Sequence, residues 1–117
     1  MDKEELIKRT RDFALRVVRL TQALPNHDAA KIIGKQLLRC ATSVGANYRS
    51  ACHGKSRADF LAKIKICEEE ADECEYWMEL LVEGGILPEK KMESLRAEAH
   101  EIAAIFTAAT RTMMREE

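Results

Sequence analysis

No run of about 18 uncharged apolar residues occurs in this sequence, so none of it predicts a membrane span. Aromatic residues make up only 5%, and there are just two prolines and five glycines. Sheet proteins lean on aromatic side chains and on glycine and proline turns, so this scarcity, with 46% of residues apolar, argues for helices. The glycine patterns of phosphate loops and dinucleotide sites are missing. So is the Glu-x-x-His pattern of di-iron bundles: Ala97 stands three residues before His100, and His27 and His53 lie near turns. No metal, cofactor or catalytic residue is therefore expected. The four cysteines, Cys40, Cys52, Cys67 and Cys74, have no CxxC spacing and fall within helical patterns as small hydrophobes, as in a reducing compartment. The opening MDKEELIKRTRDF is charged from its second residue, which predicts no secretory signal and a cytoplasmic location.

What is present is periodic. A chain of 117 residues is one domain, and the spacing predicts helices over about 2–24, 28–53, 57–83 and 88–115, with Asp28 as the cap of the second and Pro88 opening the fourth. Their apolar seams step by four and three: Leu6, Thr10, Phe13, Val17, Leu20 and Leu24; then Ile33, Leu37, Cys40, Val44, Asn47 and Ala51. The third runs Phe60, Ile64, Cys67, Ala71, Cys74, Met78 and Leu81, and the fourth Met92, Leu95, Ala99, Ile102, Phe106, Ala109 and Met113. Facing residues on successive helices have numbers of constant sum. The expected fold is therefore an all-α, antiparallel up-down-up-down four-helix bundle, left-handed, with large residues facing small ones in each layer.

One layer breaks the apolar rule by joining Thr10 and Asn47 to Ile64 and Ala109. A buried amide without partners costs a few kcal/mol, so Asn47 is expected to bond to Thr10 or to nearby backbone, as a register-setting polar residue. Gly45, amid Ala41, Ser43 and Ala46, makes a small-residue surface where another helix can approach, within the protomer or between protomers.

Net charge is −1, but unevenly spread: fourteen Lys and Arg against six Asp and Glu up to Lys65, five against fourteen beyond it. Lys31, Lys35, Arg39, Arg49 and His53 fall along one side of the second helix, joined at the turn by Lys55 and Arg57, with Lys63 and Lys65 beyond; such a stripe suits phosphates. The acidic run Glu68, Glu69, Glu70, Asp72, Glu73, Glu75 and Glu79 has no histidine or nucleophile beside it and reads as a solvated or intersubunit face. Apolar residues outside the seams, Ile7, Val18, Ile32, Ile66, Trp77, Leu80 and Ile105, exceed what a monomer usually exposes. Trp77, Ile66, Leu80 and Gly45 are the candidate oligomer interface, with Trp77 its anchor.

The stretch LLRCATSVGANYRSACHGKSRADFLAKIKICEEEADECEYWMELL resembles the 23S ribosomal RNA intervening-sequence proteins. Arg39, Ser43, Gly45 and Asn47 carry the likeness on the second helix, Ser56, Arg57, Asp59 and Phe60 at the turn, and Glu70, Glu73, Tyr76 and Trp77 on the third. The resemblance implies a small bacterial bundle, typically a ring-shaped homopentamer, with no known enzymatic activity. Some members are encoded within intervening sequences of ribosomal RNA genes and others stand alone. A related group assists reverse transcriptases of diversity-generating retroelements, and those are far more basic than this chain. The expected partners are thus other copies of the chain, and RNA, DNA or a nucleic-acid enzyme met through Lys31, Lys35, Arg39, Arg49, Lys55 and Arg57. The alternative is a protein-directed scaffold whose charges serve ring assembly, in which reversing Lys35 and Arg39 to glutamate dissolves the oligomer.

Overall fold

Three of the four helices begin where a side chain satisfies one of the first backbone donors. The computed structural model describes residues 1–116 and contains α1 (Lys3–Gln22), α2 (Asp28–Cys52), α3 (Arg57–Glu83) and α4 (Glu89–Arg115). The side chain of Asp2 accepts the Glu5 N–H at 2.8 Å, and Ser56 Oγ accepts the Asp59 N–H at 3.1 Å. The cap of α2 is His27 rather than Asp28, its Nδ1 accepting the Ala30 N–H at 3.3 Å. Asp28 sits one place inside, where its charge meets the positive end of the helix dipole. Pro88 likewise lies one place outside α4, in extended conformation.

The turns are short and differ in kind. Pro25 disfavours helix in the residue before it; α1 accordingly stops at Gln22, and the half-buried Leu24 folds over α2 at Gly34, where an added Cβ would meet its Cδ1 at 2.6 Å. The α3–α4 turn needs a residue at φ +72°, and Gly85 supplies it without a Cβ penalty. The Ile86 and Leu87 N–H groups there both return to the Leu81 carbonyl, at 3.0 and 3.1 Å.

The four helices make an antiparallel up-down-up-down bundle measuring 46 × 22 × 21 Å. Each helix packs on its two neighbours around the square, and α1 does not pack against α3. Phe13, Val44, Cys67 and Phe106 form a layer that is at most 1% exposed, and Val17, Cys40, Ala71 and Ile102 form the next. Burying each large apolar side chain contributes about 1.5–3 kcal/mol, which makes these layers the dominant stabilising term.

Toward the α2–α3 turn the buried face moves one residue along. Tyr48 rather than Asn47 turns inward on α2, Leu61 is buried more deeply than Phe60 on α3, and Thr110 replaces Ala109 on α4. A straight helix drifts by about 20° per heptad against a strict seven-residue repeat. The Tyr48 ring meets Phe106 edge to face at 5.6 Å, a gain that a buried amide cannot match. Thr10 and Asn47 consequently do not form a polar layer across the bundle. Thr10 is fully buried and donates to its own helix, at the Leu6 carbonyl (2.9 Å) and the Ile7 carbonyl (3.1 Å). Asn47 is half-buried, and its amide donates to the Ser43 carbonyl and hydroxyl, both at 2.9 Å.

Candidate functional site

The residues singled out on α2 and α3 separate into three groups. The first is an ion-pair cluster bridging the two helices. Arg39 NH1 donates to Glu70 Oε2 at 2.8 Å, and NH2 donates to Glu73 Oε2, which also accepts from Trp77 Nε1 at 2.9 Å. Tyr76 packs edge to face on Trp77 with ring centroids 5.0 Å apart. Partial desolvation works against the Arg39 charge, but Glu70 and Glu73 outweigh it and raise the pKa above its ordinary value. Arg39 is therefore paired within its own protomer, and Trp77 is a half-buried member of this cluster.

The second group lies at the end of the bundle near the α2–α3 turn. Arg57 NH2 donates to Glu116 Oε2 at 2.6 Å and reaches the Met113 carbonyl at 3.4 Å, tying the start of α3 to the end of α4. Lys55, Lys63 and Lys65 have no carboxylate within ion-pair distance among the described residues.

The third group lines the seam between α1 and α2. Two hollows lie along it. One, of about 230 Å³, is formed by Thr21, Leu24, Gly34 and Leu38 with Lys31 and Lys35 at its edge. The other, of about 280 Å³, is formed by Ile7, Ala14, Gly45 and Ala46 with Arg11 and Arg49 at its edge. None of these four cations has a carboxylate partner among the described residues. Gly45 makes the seam close, since an added Cβ would lie 3.5 Å from the Thr10 carbonyl oxygen. Arg11 lies on α1, outside the stripe that the sequence shows along α2 and into α3. The rule that pairs Thr10 with Asn47 also sets Arg11 opposite Ala46, and it is the signal that finds this fourth cation.

The acidic side is the outer face of α3. Ile66 and Tyr76 are 40% and 54% exposed, among Glu69, Asp72, Glu79 and Glu83, while Leu80 beside them is half-buried. Glu79, by hydrogen bonding and by its like charge, raises the Glu83 carboxyl above the usual carboxylate value. Glu75 meets His100 Nδ1 at 2.9 Å on the side toward α4. Among the described residues no three His, Cys, Asp or Glu side chains are placed to share a metal ion. Nor is any helix there long and apolar enough to cross a membrane.

The cysteines carry no evident chemistry. Cys40, Cys67 and Cys74 are buried, and Cys74 Sγ lies 3.2 Å from Cys40 Sγ with both thiols free. Burial pushes the Cys67 thiol up to about 12. The contact with Cys40, reinforced by burial, raises that of Cys74. Thiols held protonated in this way are poor nucleophiles.

The family model described as 23S rRNA-intervening sequence protein matches residues 2–108. Among solved structures, a protein of unknown function from the S23 ribosomal protein family of Bacteroides thetaiotaomicron is similar in fold, with a TM-score of 0.87 and 35% sequence identity. That likeness covers 95% of this chain and 99% of the other. No curated protein matches the sequence.

Proposed function

The chain belongs to the 23S rRNA-intervening sequence protein family, and from that membership we propose that it acts in the cytoplasm without catalysis, as a homo-oligomeric ring, taken as a pentamer, that associates with nucleic acid or with an enzyme working on it. The observation that carries the nucleic-acid part is the set of cations with no internal partner. Lys31, Lys35 and Arg49 rim the α1–α2 seam, and Lys55 lies at the α2–α3 turn, with Lys63 and Lys65 further along α3. Arg39 and Arg57 leave the stripe, because carboxylates of the same protomer already hold them. Lys55 is the better candidate for phosphate contact, since it lies at an end of the bundle and rims no hollow.

Mass in solution tests the assembly. Titration of fluorescent RNA and DNA at rising salt tests the association: log K is expected to fall with log salt by about 0.7–0.9 per phosphate neutralised. Affinity that ignores salt, or never appears, removes the nucleic-acid part.

A second reading is a protein-directed scaffold in which the charges serve only assembly. It is favoured by the enclosure of Arg39 between Glu70 and Glu73, which shows basic α2 and acidic α3 surfaces already pairing inside one protomer. Pull-down from cell extract separates the two: partners lost after nuclease treatment support the first reading, and partners that survive it support the second.

A further inference from the structure

The α1–α2 seam and the outer face of α3 differ in both charge and relief. The seam is concave, with hollows floored near Gly34 and Gly45 and two unpaired cations beside each. At the rise of an α-helix those floors lie about 16 Å apart. The outer face of α3 is convex, and its exposed apolar side chains Ile66 and Tyr76 lie about 15 Å apart by the same measure. Glu69, Asp72, Glu79 and Glu83 share that face, and none has a cation within ion-pair distance among the described residues. Four cations around two hollows thus have a counterpart in four carboxylates around two knobs, at matching separation.

We infer that the outer face of α3 on one copy docks into the α1–α2 seam of a second copy, Ile66 and Tyr76 filling the two hollows while the flanking carboxylates meet Arg11, Lys31, Lys35 and Arg49. This rests on the homo-oligomer reading above and gives it a contact. One protomer cannot satisfy itself this way, because α3 stands diagonally across the bundle from α1 and does not pack on it. The contact is heterologous: each copy offers one seam and one ridge on different sides, so every copy docked still presents a free surface, and assembly ends only when a ring closes. The small residues Gly45 and Ala46 let a helix approach, and the apolar knobs supply the desolvated centre that a rim of ion pairs alone lacks. With the seam cations occupied by a neighbouring copy, Lys55 at the α2–α3 turn remains for nucleic acid.

Two full-length variants test the pairing. The seam variant carries Lys35→Glu and Arg49→Glu; the ridge variant carries Ile66→Glu and Tyr76→Glu. All four residues are exposed, and neither Lys35 nor Arg49 has an ion-pair partner among the described residues. Sedimentation is expected to show an oligomeric parent and two monomeric variants. An equimolar mixture is expected to give a dimer and nothing larger, because one intact ridge meets one intact seam while the reverse contact sets acid against acid. A monomeric parent overturns the homo-oligomer reading and this contact with it. An oligomeric parent whose variants keep its mass overturns this contact alone, and so do monomeric variants that fail to dimerise on mixing. Circular dichroism checks that both variants are folded; for either that is not, the milder Arg49→Gln and Tyr76→Ser carry the same mixing test.

Discussion

Arg9 and Glu98 form a two-point ion pair across the α1–α4 seam, with Nε donating to Oε2 at 2.8 Å and NH2 to Oε1 at 2.6 Å. The Arg9 NH2 also reaches Glu101 at 3.1 Å, and the hydrogen bond to Glu98 leads the effects that raise the Arg9 pKa. Few side chains bridge α1 and α4 otherwise; Arg16 bonding to Ser94 Oγ at 2.9 Å is another. Paired geometry of this kind is stronger than an ordinary surface ion pair. Arg9→Met and Glu98→Gln are each expected to cost about 1–2 kcal/mol. The double variant should cost clearly less than the two losses added, which urea denaturation measures as a coupling energy. Additive losses would mean the pair contributes nothing as a pair.

Arg39 presents the opposite case, a half-exposed arginine whose pairing is about placement. Arg39→Gln leaves Glu73 to Trp77 alone, and Trp77 is the single tryptophan of the chain, so its emission reports this cluster. The expected result is a shifted emission maximum with a stability loss no larger than about 1 kcal/mol, given the solvent around the guanidinium. Nucleic-acid affinity, where present, should be unchanged by Arg39→Gln and reduced by Lys55→Gln. A larger effect at Arg39 than at Lys55 would return Arg39 to the binding stripe.

These two arginines mark how far the sequence could be read. The bundle was legible because four apolar seams share one period, and Phe13, Val44, Cys67 and Phe106 fall in one layer once successive helices are aligned. The ends were less so, because drift accumulates away from the middle: Asn47 and Tyr48 both lie near the boundary of the seam, and the contact with Phe106 decides between them. Charge was the least legible. A stripe of cations on one helix is visible in sequence, but whether a carboxylate on the next helix reaches it depends on side-chain length and register, and only coordinates show Glu70 and Glu73 closing on Arg39. The seam cation Arg11 needed two helices at once.

Thiol reactivity follows from the layers. Cys40, Cys67 and Cys74 are buried and Cys52 is half-buried at the end of α2. The raised pKa values of Cys67 and Cys74 keep thiolate scarce at neutral pH. An aromatic disulfide reagent on the native protein is expected to titrate Cys52 quickly and the other three only at the rate of unfolding. Cys52→Ser should abolish the fast phase. Rapid reaction of more than one thiol would show that the core opens far more readily than its packing implies.

Thr110 is buried with its Oγ1 lacking any partner among the described residues, where Thr10 on the same bundle finds two carbonyls. An unmade hydrogen bond on a buried hydroxyl costs about 1–3 kcal/mol. Replacing the hydroxyl by a methyl of similar volume removes that cost, so Thr110→Val is expected to raise stability by about 1 kcal/mol in chemical denaturation. Thr10→Val, the matched control, is expected to lower it or leave it unchanged. If both substitutions move stability the same way, hydrogen bonding does not distinguish the two sites.

Gly45 separates the stability of the protomer from that of the assembly. It lies in the interior of α2, where glycine costs about 1 kcal/mol relative to alanine. An added Cβ would lie 3.5 Å from the Thr10 backbone and hydroxyl, an ordinary contact, so Gly45→Ala is expected to stabilise the protomer by about 0.5–1 kcal/mol. Gly34 differs, since its Cβ would displace Leu24 from 2.6 Å, and Gly34→Ala should gain less or lose. The same methyl at Gly45 makes the hollow shallower for a docking helix, so the variant with the firmer protomer should dissociate at higher concentration. Urea midpoint and sedimentation therefore move in opposite directions at this residue. If they rise together, the hollow at Gly45 plays no part in the contact between copies.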